Sequence, residues 1–268
     1  MSNYSRGPVR RKLRRALSWL GYQWRVTRRT SITIEGIQIR VGRHMSRRVE
    51  KALSKGRTER DVLQLLGTLL TPDDTVLDIG AGLGLVSAYC AKQIGSDRVF
   101  AYEADPDLEP CIRETYQLNG VEPSLEICAV GAQPGRVTLY RDEHRISTSV
   151  VRRRAGARPV EVSGRALNHV VAKIRPTLLV VDEEGVEADL FDGAELPTVI
   201  QIVLESPDRL IGPDGTDRVV AQLQGIGFRI RRGLSSPEHL VLWRGSSMEP
   251  AGDPSHRTSS PSALDSRL

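Results

Sequence analysis

The chain has 268 residues, with 38 Lys and Arg residues against 33 Asp and Glu residues, a size that suits one main domain with extensions. It contains no apolar run of the roughly 20 residues that cross a bilayer, and its Arg-rich start lacks the apolar stretch of a secretory signal. We therefore predict a cytoplasmic protein. Its 3 cysteines argue against a disulfide framework or a zinc knuckle.

Residues 1–30 carry nine Lys or Arg residues and no acidic residue, so the rest of the chain has a slight acidic excess. Leu13, Leu17, Leu20 and Trp24 recur at helical spacing among these basic residues, which predicts a basic amphipathic helix. Such a helix can pack on the domain, contact an anionic membrane surface or bind a partner. Nucleic acid is the weaker alternative.

Hydrophobic residues alternate from Ile32 to Val41 around Glu35 and Gly36, which predicts a short β-hairpin. Helical patterns follow at 46–55 and 58–70. We divide the chain into a basic arm at 1–30, a hairpin and helical extension at 31–72, a main domain at 73–245 and a tail at 246–268. The tail is rich in Ser and Pro, and we expect it to be disordered.

The main domain alternates short β-branched runs with helical stretches, which is typical of a parallel sheet covered on both faces. Strands are predicted at 75–79, 98–102, 125–129, 136–140, 178–182 and 199–204, and helices at 84–95, 106–119, 187–195 and 215–225. The segment 159–162 is a further strand or a loop, and 227–230 with 239–243 would close the sheet as an antiparallel pair. The fold class is therefore α/β, doubly wound, with a mostly parallel seven-stranded sheet and an antiparallel C-terminal strand.

A glycine turn follows the first strand of this domain in the motif VLDIGAGLG (76–84). The first strand-to-helix turn of an open parallel sheet lines the ligand crevice, and glycines let its backbone approach a ligand closely. The residues predicted to do so are Gly80, Ala81, Gly82 and Gly84. A dinucleotide site needs a third glycine where this chain has Leu85, so the spacing disfavours NAD.

Two acidic residues accompany the turn. Asp78 would repel a pyrophosphate, yet it suits the ammonium and sulfonium groups of S-adenosylmethionine. Glu103 ends the second strand, where a carboxylate can accept hydrogen bonds from both ribose hydroxyls, and Ala104, Cys128 and Ala129 would border the adenine. These residues predict S-adenosylmethionine as the cofactor; the alternative is a turn that only packs helix against strand.

Asp182, Glu183 and Glu184 follow the apolar run at 178–181, at the expected carboxyl end of a buried strand. Methylation of an alcohol requires removal of its proton, and a carboxylate can accept it. Asp182 is the first candidate for this catalytic role and Glu184 the second, while Glu183 fits a helix start. A divalent cation on these acids is an alternative, but we predict no resident metal. Glu205 could bind a hydroxyl of the acceptor or merely begin a loop.

Several motifs, taken together and in order, resemble the FkbM family of S-adenosylmethionine-dependent methyltransferases. They are TVLDIGAGLG (75–84), VFAYEADP (99–106), LNG (118–120), AVG (129–131), VTLY (137–140), STSV (147–150), VDEEGVE (181–187) and VLE (203–205). The resemblance implies methylation of hydroxyl groups on natural products and sugars, with cofactor contacts from Asp78, Gly80, Gly82, Glu103 and Asn119. The chain departs from the family's pattern at Val180 and Glu183, beside the expected acceptor.

We therefore expect an O-methyltransferase that acts on a hydroxyl of a small molecule, a sugar or a lipid-linked glycan. The alternatives are methylation of nitrogen or of a macromolecule, and a non-catalytic binding module that keeps the fold. Enzymes that methylate amino groups of RNA commonly carry an Asn/Asp-Pro-Pro-aromatic motif after the fourth strand, and this sequence has none there.

Overall fold

The computed structural model describes residues 31–40, 59–141, 148–149, 158–182, 187–205 and 208–245. The predicted arm at 1–30, the helix at 46–55, the tail at 246–268 and the candidate Glu184 lie outside the described residues. Within the described ranges, no helix combines the length and the apolar character needed to cross a membrane.

The chain contains thirteen described strands and six described α-helices. The strands are β1 (Ser31–Ile34), β2 (Ile37–Arg40), β3 (Val76–Ile79), β4 (Val99–Glu103), β5 (Ser124–Ile127), β6 (Ala129–Gly131), β7 (Gly135–Arg141), β8 (Thr148–Ser149), β9 (Arg158–Ala166), β10 (Leu178–Val181), β11 (Gln201–Glu205), β12 (Arg229–Ile230) and β13 (His239–Trp243). The helices are α1 (Glu59–Leu69), α2 (Leu85–Ile94), α3 (Glu109–Asn119), α4 (Leu167–Ile174), α5 (Glu187–Leu190) and α6 (Asp208–Gly225).

Seven strands form the main sheet, in the order β12-β13-β11-β10-β3-β4-β5. The strands from β11 to β5 pair in parallel, whereas β13 is antiparallel to both β11 and β12. This confirms the predicted α/β architecture with its antiparallel C-terminal strand. The chain moves outward from β3 to β5 and returns to the other side of β3 with β10, so the strand order reverses between β3 and β10. Ligands of open α/β sheets bind beyond the carboxyl ends of the strands at such a point.

Both faces of the main sheet are covered. On one face Val76 and Val180 pack with side chains of α1, α2 and α3, and on the other Leu77 and Ile79 pack with side chains of α4 and α6. Every residue of β3 and β10 is buried, as expected for parallel strands between two layers of helices. Because side chains alternate along a strand, Asp78 points to the face of Val76, beneath α2.

A second sheet, in the order β6-β9-β7-β8, was not predicted. The sequence pattern indicates one strand at 125–129, but the chain breaks at Cys128 into β5, which stays in the main sheet, and β6, which pairs with β9. The apolar pattern continues through Cys128, so only the pairing partner distinguishes the two strands. Since β5 ends at the carboxyl edge of the main sheet, the second sheet begins beside the expected ligand crevice.

The helices also differ from the prediction in several places, one of them α6, which begins at Asp208 instead of 215. Helix α4 was not predicted, although its buried positions Leu167, Val170 and Val171 have the helical spacing that indicates one. The predicted helix at 187–195 is shorter, because α5 ends at Leu190 and the chain turns through Gly193, where φ is +65°.

The predicted hairpin forms around Glu35 and Gly36, whose φ angles of 44° and 81° are typical of a tight two-residue turn. Its residues Ile34, Ile37 and Ile39 are buried in the same hydrophobic cluster as the side chains of α1, α2 and α3. The hairpin is therefore part of the main core, on the face that also contains Asp78.

Candidate active site

The glycine turn is hydrogen-bonded to the neighbouring strand. The N–H groups of Gly80 and Ala81 both donate to the carbonyl of Tyr102 in β4, at 2.9 and 3.0 Å, and the N–H of Gly84 donates to the carbonyl of Ala81 at 2.7 Å. These three bonds fix the path of the backbone between β3 and α2. The turn therefore lies at the carboxyl edge of β3, where the strand order reverses.

Gly82 and Gly84 both have left-handed φ angles, of +58° and +75°, which favour glycine. They differ in their surroundings. A Cβ added at Gly84 would lie 2.9 Å from both Ile112 Cγ2 and Tyr116 Cε1, whereas one added at Gly82 would meet only the carbonyl oxygen of Gly80, at 3.9 Å. Gly84 is thus required for the close packing of α2 on α3, and Gly82 leaves open space beside the turn.

The carboxylate of Glu103 joins the turn to the end of β4. Its Oε2 accepts a hydrogen bond from the N–H of Gly82 at 2.8 Å, and its Oε1 accepts one from the N–H of Asp105 at 2.7 Å. The residue is 5% exposed, and burial raises the pKa of Glu103 to about 7, although both hydrogen bonds lower it. The N–H of Ala104 also lowers this pKa, and since a carboxylate has about four acceptor positions, acceptor capacity remains for a hydrogen bond from a ligand.

Asp78 lies inside the domain, with 1% of its surface exposed. Its strand neighbours are Val180 in β10 and Ala101 in β4. Burial raises the pKa of Cys90 in α2, and the negative charge of Asp78 raises it further. Burial likewise raises the pKa of Tyr116 in α3, and Asp78 contributes in the same direction. The structure therefore places this acid beneath the start of α2, two residues before the turn.

Two of the three residues predicted to border an adenine are close together. Ala104 and Ala129 pack in one buried cluster with Leu139 of the second sheet. Cys128 belongs instead to the cluster that contains Tyr102 and the side chains of α4 and α6. Burial raises the pKa of its thiol to about 11. The side chain of Cys128 is therefore separate from the Ala104 and Ala129 pair.

Asn119, which the family resemblance assigns to the cofactor, contacts the hairpin. Its Oδ1 accepts from the N–H of Gln38 at 2.9 Å, and its Nδ2 donates to the carbonyls of Gln38 and Thr115, both at 2.7 Å. The side-chain amide of Asn119 thus pairs with both the N–H and the carbonyl of Gln38, in the way that the backbone of a neighbouring strand pairs with a residue. Both N–H donors of the side chain are therefore used by β2 and α3, and the cofactor contact of Asn119 stays a prediction.

The acidic candidates after β10 are only partly described. The N–H of Asp182 donates to the carbonyl of Ile79 at 2.9 Å, which places Asp182 beside the start of the glycine turn, and its side chain is exposed. Glu183 and Glu184 lie outside the described residues. In the part of the chain that the structure describes, no group of three or more His, Cys, Asp or Glu side chains is arranged to hold a metal ion.

Glu205 ends β11, the next strand after β10, and is partly exposed. It pairs with His239, the first residue of β13, which was not among the predicted site residues. The sequence places His239 at the start of the last predicted strand. Only the antiparallel direction of that strand shows that its first residue lies at the same edge of the sheet as Asp182.

The model of the Methyltransferase FkbM domain matches residues 78–230 of this chain. That range begins at Asp78 and extends over Gly80, Gly82, Glu103 and Asp182. It therefore includes the glycine turn and the described acidic residues of the site.

The chain is also similar to curated methyltransferases. It is 39% identical over 79 residues to the ribosomal protein L11 methyltransferase of Geobacter sulfurreducens, covering 30% of this chain and 26% of that protein. It is 34% identical over 86 residues to the ribosomal RNA small subunit methyltransferase A of Thermotoga petrophila, covering 32% of this chain and 30% of that protein. The chain thus spans under a third of the length of these relatives.

Among solved structures, the chain is similar to the methyltransferase FkbM of Methylobacillus flagellatus KT. The TM-score is 0.47 with 15% sequence identity, over 68% of this chain and 47% of the other.

Proposed function

The chain belongs to the FkbM methyltransferase family, and on that premise we propose that it transfers a methyl group from S-adenosylmethionine to a hydroxyl of a small molecule, a sugar or a lipid-linked glycan. The observation that carries the proposal is the position of Glu103. Its carboxylate is hydrogen-bonded to the glycine turn at the point of the sheet where strand order reverses.

The residues around the turn fit this cofactor. Glu103 keeps acceptor capacity for a hydrogen bond from a ribose hydroxyl, and the space beside Gly82 allows close contact with the backbone. Asp78 provides a negative charge beneath the turn, which favours a cationic ligand over a pyrophosphate. The small apolar side chains of Ala104 and Ala129, which pack with the second sheet, would border the adenine ring.

When bound, S-adenosylmethionine supplies an electrophilic methyl group on a sulfonium. Transfer to an alcohol forms an O–C bond, breaks the S–C bond and releases the proton of the hydroxyl. Asp182 is the described acid that follows β10 beside the turn, so we assign to it the acceptance of this proton, with Glu184 as the second candidate. The domain contributes further by holding the reacting oxygen, carbon and sulfur in line.

Methylation of a protein or an RNA is the second candidate function. The names of the two curated relatives above favour it, and so does the basic character of residues 1–30. The same basic segment would suit an acceptor at an anionic membrane surface. These acceptors are distinguished by which of them takes up the methyl group.

The first experiment is calorimetric titration of the full chain with S-adenosylmethionine, S-adenosylhomocysteine and NAD. We expect saturable binding of the two sulfur nucleotides, and loss of that binding in Asp78→Ala and Glu103→Ala. Glu122→Ala, which changes an exposed acid, is the matched control and should bind as the wild type does. Binding of NAD alone would contradict the proposal.

The acceptor is sought with tritiated S-adenosylmethionine. A defined hydroxyl set of methyl hexosides with their monodeoxy analogues, glycerol and catechol is compared with ribosomal protein and ribosomal RNA. Label in a hydroxyl compound supports the proposal, and label only in protein or RNA supports the second candidate. Asp182→Asn should lower kcat by roughly 100-fold or more without changing the affinity for S-adenosylhomocysteine; full activity in this variant would refute its assigned role.

A further inference from the structure

A row of polar residues crosses the carboxyl edge of the main sheet next to the glycine turn. The parallel register of β3, β10 and β11 carries Asp182 to a position between Gly80 and Glu205, and the hydrogen bond from Asp182 to Ile79 extends that register beyond β10. Glu205 is in turn paired with His239. The row therefore leads from the proposed cofactor site across two further strands.

Glu205 and His239 are opposite each other in antiparallel strands. The N–H of His239 donates to Ser236 Oγ at 3.1 Å, and its carbonyl accepts from the N–H of Ser236 at 2.8 Å. Because both backbone groups of His239 point away from β11, the two residues form a non-hydrogen-bonded pair, in which opposing side chains are closest. The side chains of Glu205 and His239 therefore extend from opposing positions on the same face of the sheet, and the charge of Glu205 acts on the imidazole.

The first turn of α1 lies over this pair. Gln201, at the start of β11, donates from Nε2 to the carbonyl of Leu69, the last residue of α1, at 3.5 Å. The charge of Asp61, in the first turn of α1, acts on His239, so the N-terminal end of α1 lies towards the edge with Glu205. His239 itself is 9% exposed.

Burial lowers the pKa of His239, while the charges of Glu205, Asp61 and Glu238 act in the opposite direction. A histidine in this environment is neutral at neutral pH and carries one N–H donor. With a rotation of the two side chains that donor can reach the carboxylate of Glu205, and such a hydrogen bond would restrict the orientation of the carboxylate.

We propose that Glu205, oriented by His239, is a second anchor for the methyl acceptor and accepts a hydrogen bond from a hydroxyl other than the one that is methylated. The inference rests on the proposed function, in which Asp182 is next to the methylated hydroxyl. Neighbouring strands are about 4.8 Å apart, so the acceptor is a polyol with two hydroxyls separated by roughly that distance. His239 acts through Glu205 and is therefore a positioning residue.

The pair itself is tested by nuclear magnetic resonance titration of the histidines in the full chain bound to S-adenosylhomocysteine. The imidazole signal of His239 is identified by its loss in His239→Gln, and His169 on α4 is the internal control. Removal of the carboxylate in Glu205→Gln should lower the pKa of His239, because it removes a charge that favours the imidazolium. An unchanged titration of His239 in that variant would overturn the inference.

The anchor is tested with the most rapidly methylated member of the hydroxyl set and its monodeoxy analogues. In the wild type, one analogue that keeps the methylated hydroxyl should lose roughly 10- to 1,000-fold in kcat/KM. Glu205→Gln should lower kcat/KM for the parent compound by a similar factor, mainly through a higher KM. For the analogue that lacks the anchored hydroxyl, the same variant should lower kcat/KM little further. Affinity for S-adenosylhomocysteine should stay unchanged, and Glu238→Gln is the matched control.

The pH profile separates positioning from a merely structural role. At low pH the imidazolium of His239 pairs with Glu205 and withdraws the carboxylate, so KM for the acceptor should rise, and His239→Gln should lack this rise. If Glu205→Gln and His239→Gln both kept the wild-type KM for the acceptor and its pH dependence in an active methyltransferase, the inference would be overturned. Absence of transfer to every hydroxyl compound would instead refute the proposed function on which it rests.

Discussion

Replacement of Gly84 by alanine tests whether this glycine is needed for helix packing as well as for its backbone angle. The left-handed angle costs an alanine about 1–2 kcal/mol. The added methyl group would also lie 2.9 Å from Ile112 and Tyr116, and such overpacking costs about 1–3 kcal/mol. We therefore expect Gly84→Ala to lower the free energy of unfolding by about 2–5 kcal/mol.

Gly120→Ala is the matched control, because Gly120 has a similar φ of +64° but no atom within 4 Å of an added Cβ. Urea denaturation of both variants in the absence of ligand isolates the packing contribution as the difference between them, about 1–3 kcal/mol. Equal destabilisation of the two variants would refute the assignment of Gly84 to the contact of α2 with α3. Gly82→Ala, which meets no close neighbour, should weaken binding of S-adenosylhomocysteine more than it lowers stability.

Three further predictions follow from described contacts. Burial raises the pKa of Glu103 from 4.5 to about 7, so the folded state binds the proton more tightly than the unfolded state does. The contribution of this residue to the free energy of unfolding should therefore fall as pH rises from about 4.5 to about 7. Urea denaturation across this range should show that fall in the wild type and not in Glu103→Gln. Asn119→Ala should weaken the attachment of the hairpin by about 1–3 kcal/mol, seen as faster hydrogen exchange in β1 and β2. A large loss of S-adenosylhomocysteine affinity in this variant would support the predicted cofactor contact of Asn119. Thr177→Val removes the hydroxyl that donates to Asp74 at 2.6 Å and accepts from the N–H of Thr75 at 3.0 Å. It should lower the free energy of unfolding in urea by about 1–3 kcal/mol. The control Thr68→Val, on the exposed face of α1, should have a smaller effect.

Two roles in the site depend on contacts that are distant in sequence. The motif at 76–84 predicts a ligand turn, but it does not distinguish Gly82, beside open space, from Gly84, which α3 approaches closely. Asn119 shows the same difficulty, because Gln38 is 81 residues away in sequence and only the folded hairpin brings the two together.

The sequence by itself determined the alternation of strands and helices, the left-handed glycine turn and the acid at the end of β4. These features depend on local preferences, namely which side chains can be buried with period two or 3.6 and which residues tolerate a positive φ. The family resemblance then added the order of the motifs, which the family model confirms over residues 78–230.

Only the tertiary structure decided which strands are neighbours. The division of 125–129 into β5 and β6, and the pairing of Glu205 with His239, depend on partners supplied by distant segments. A strand can form hydrogen bonds equally well with many partners, so its own residues do not specify which one it meets or in which direction. That choice is made by the packing of the whole core, and it determines which polar side chains share the carboxyl edge of the sheet.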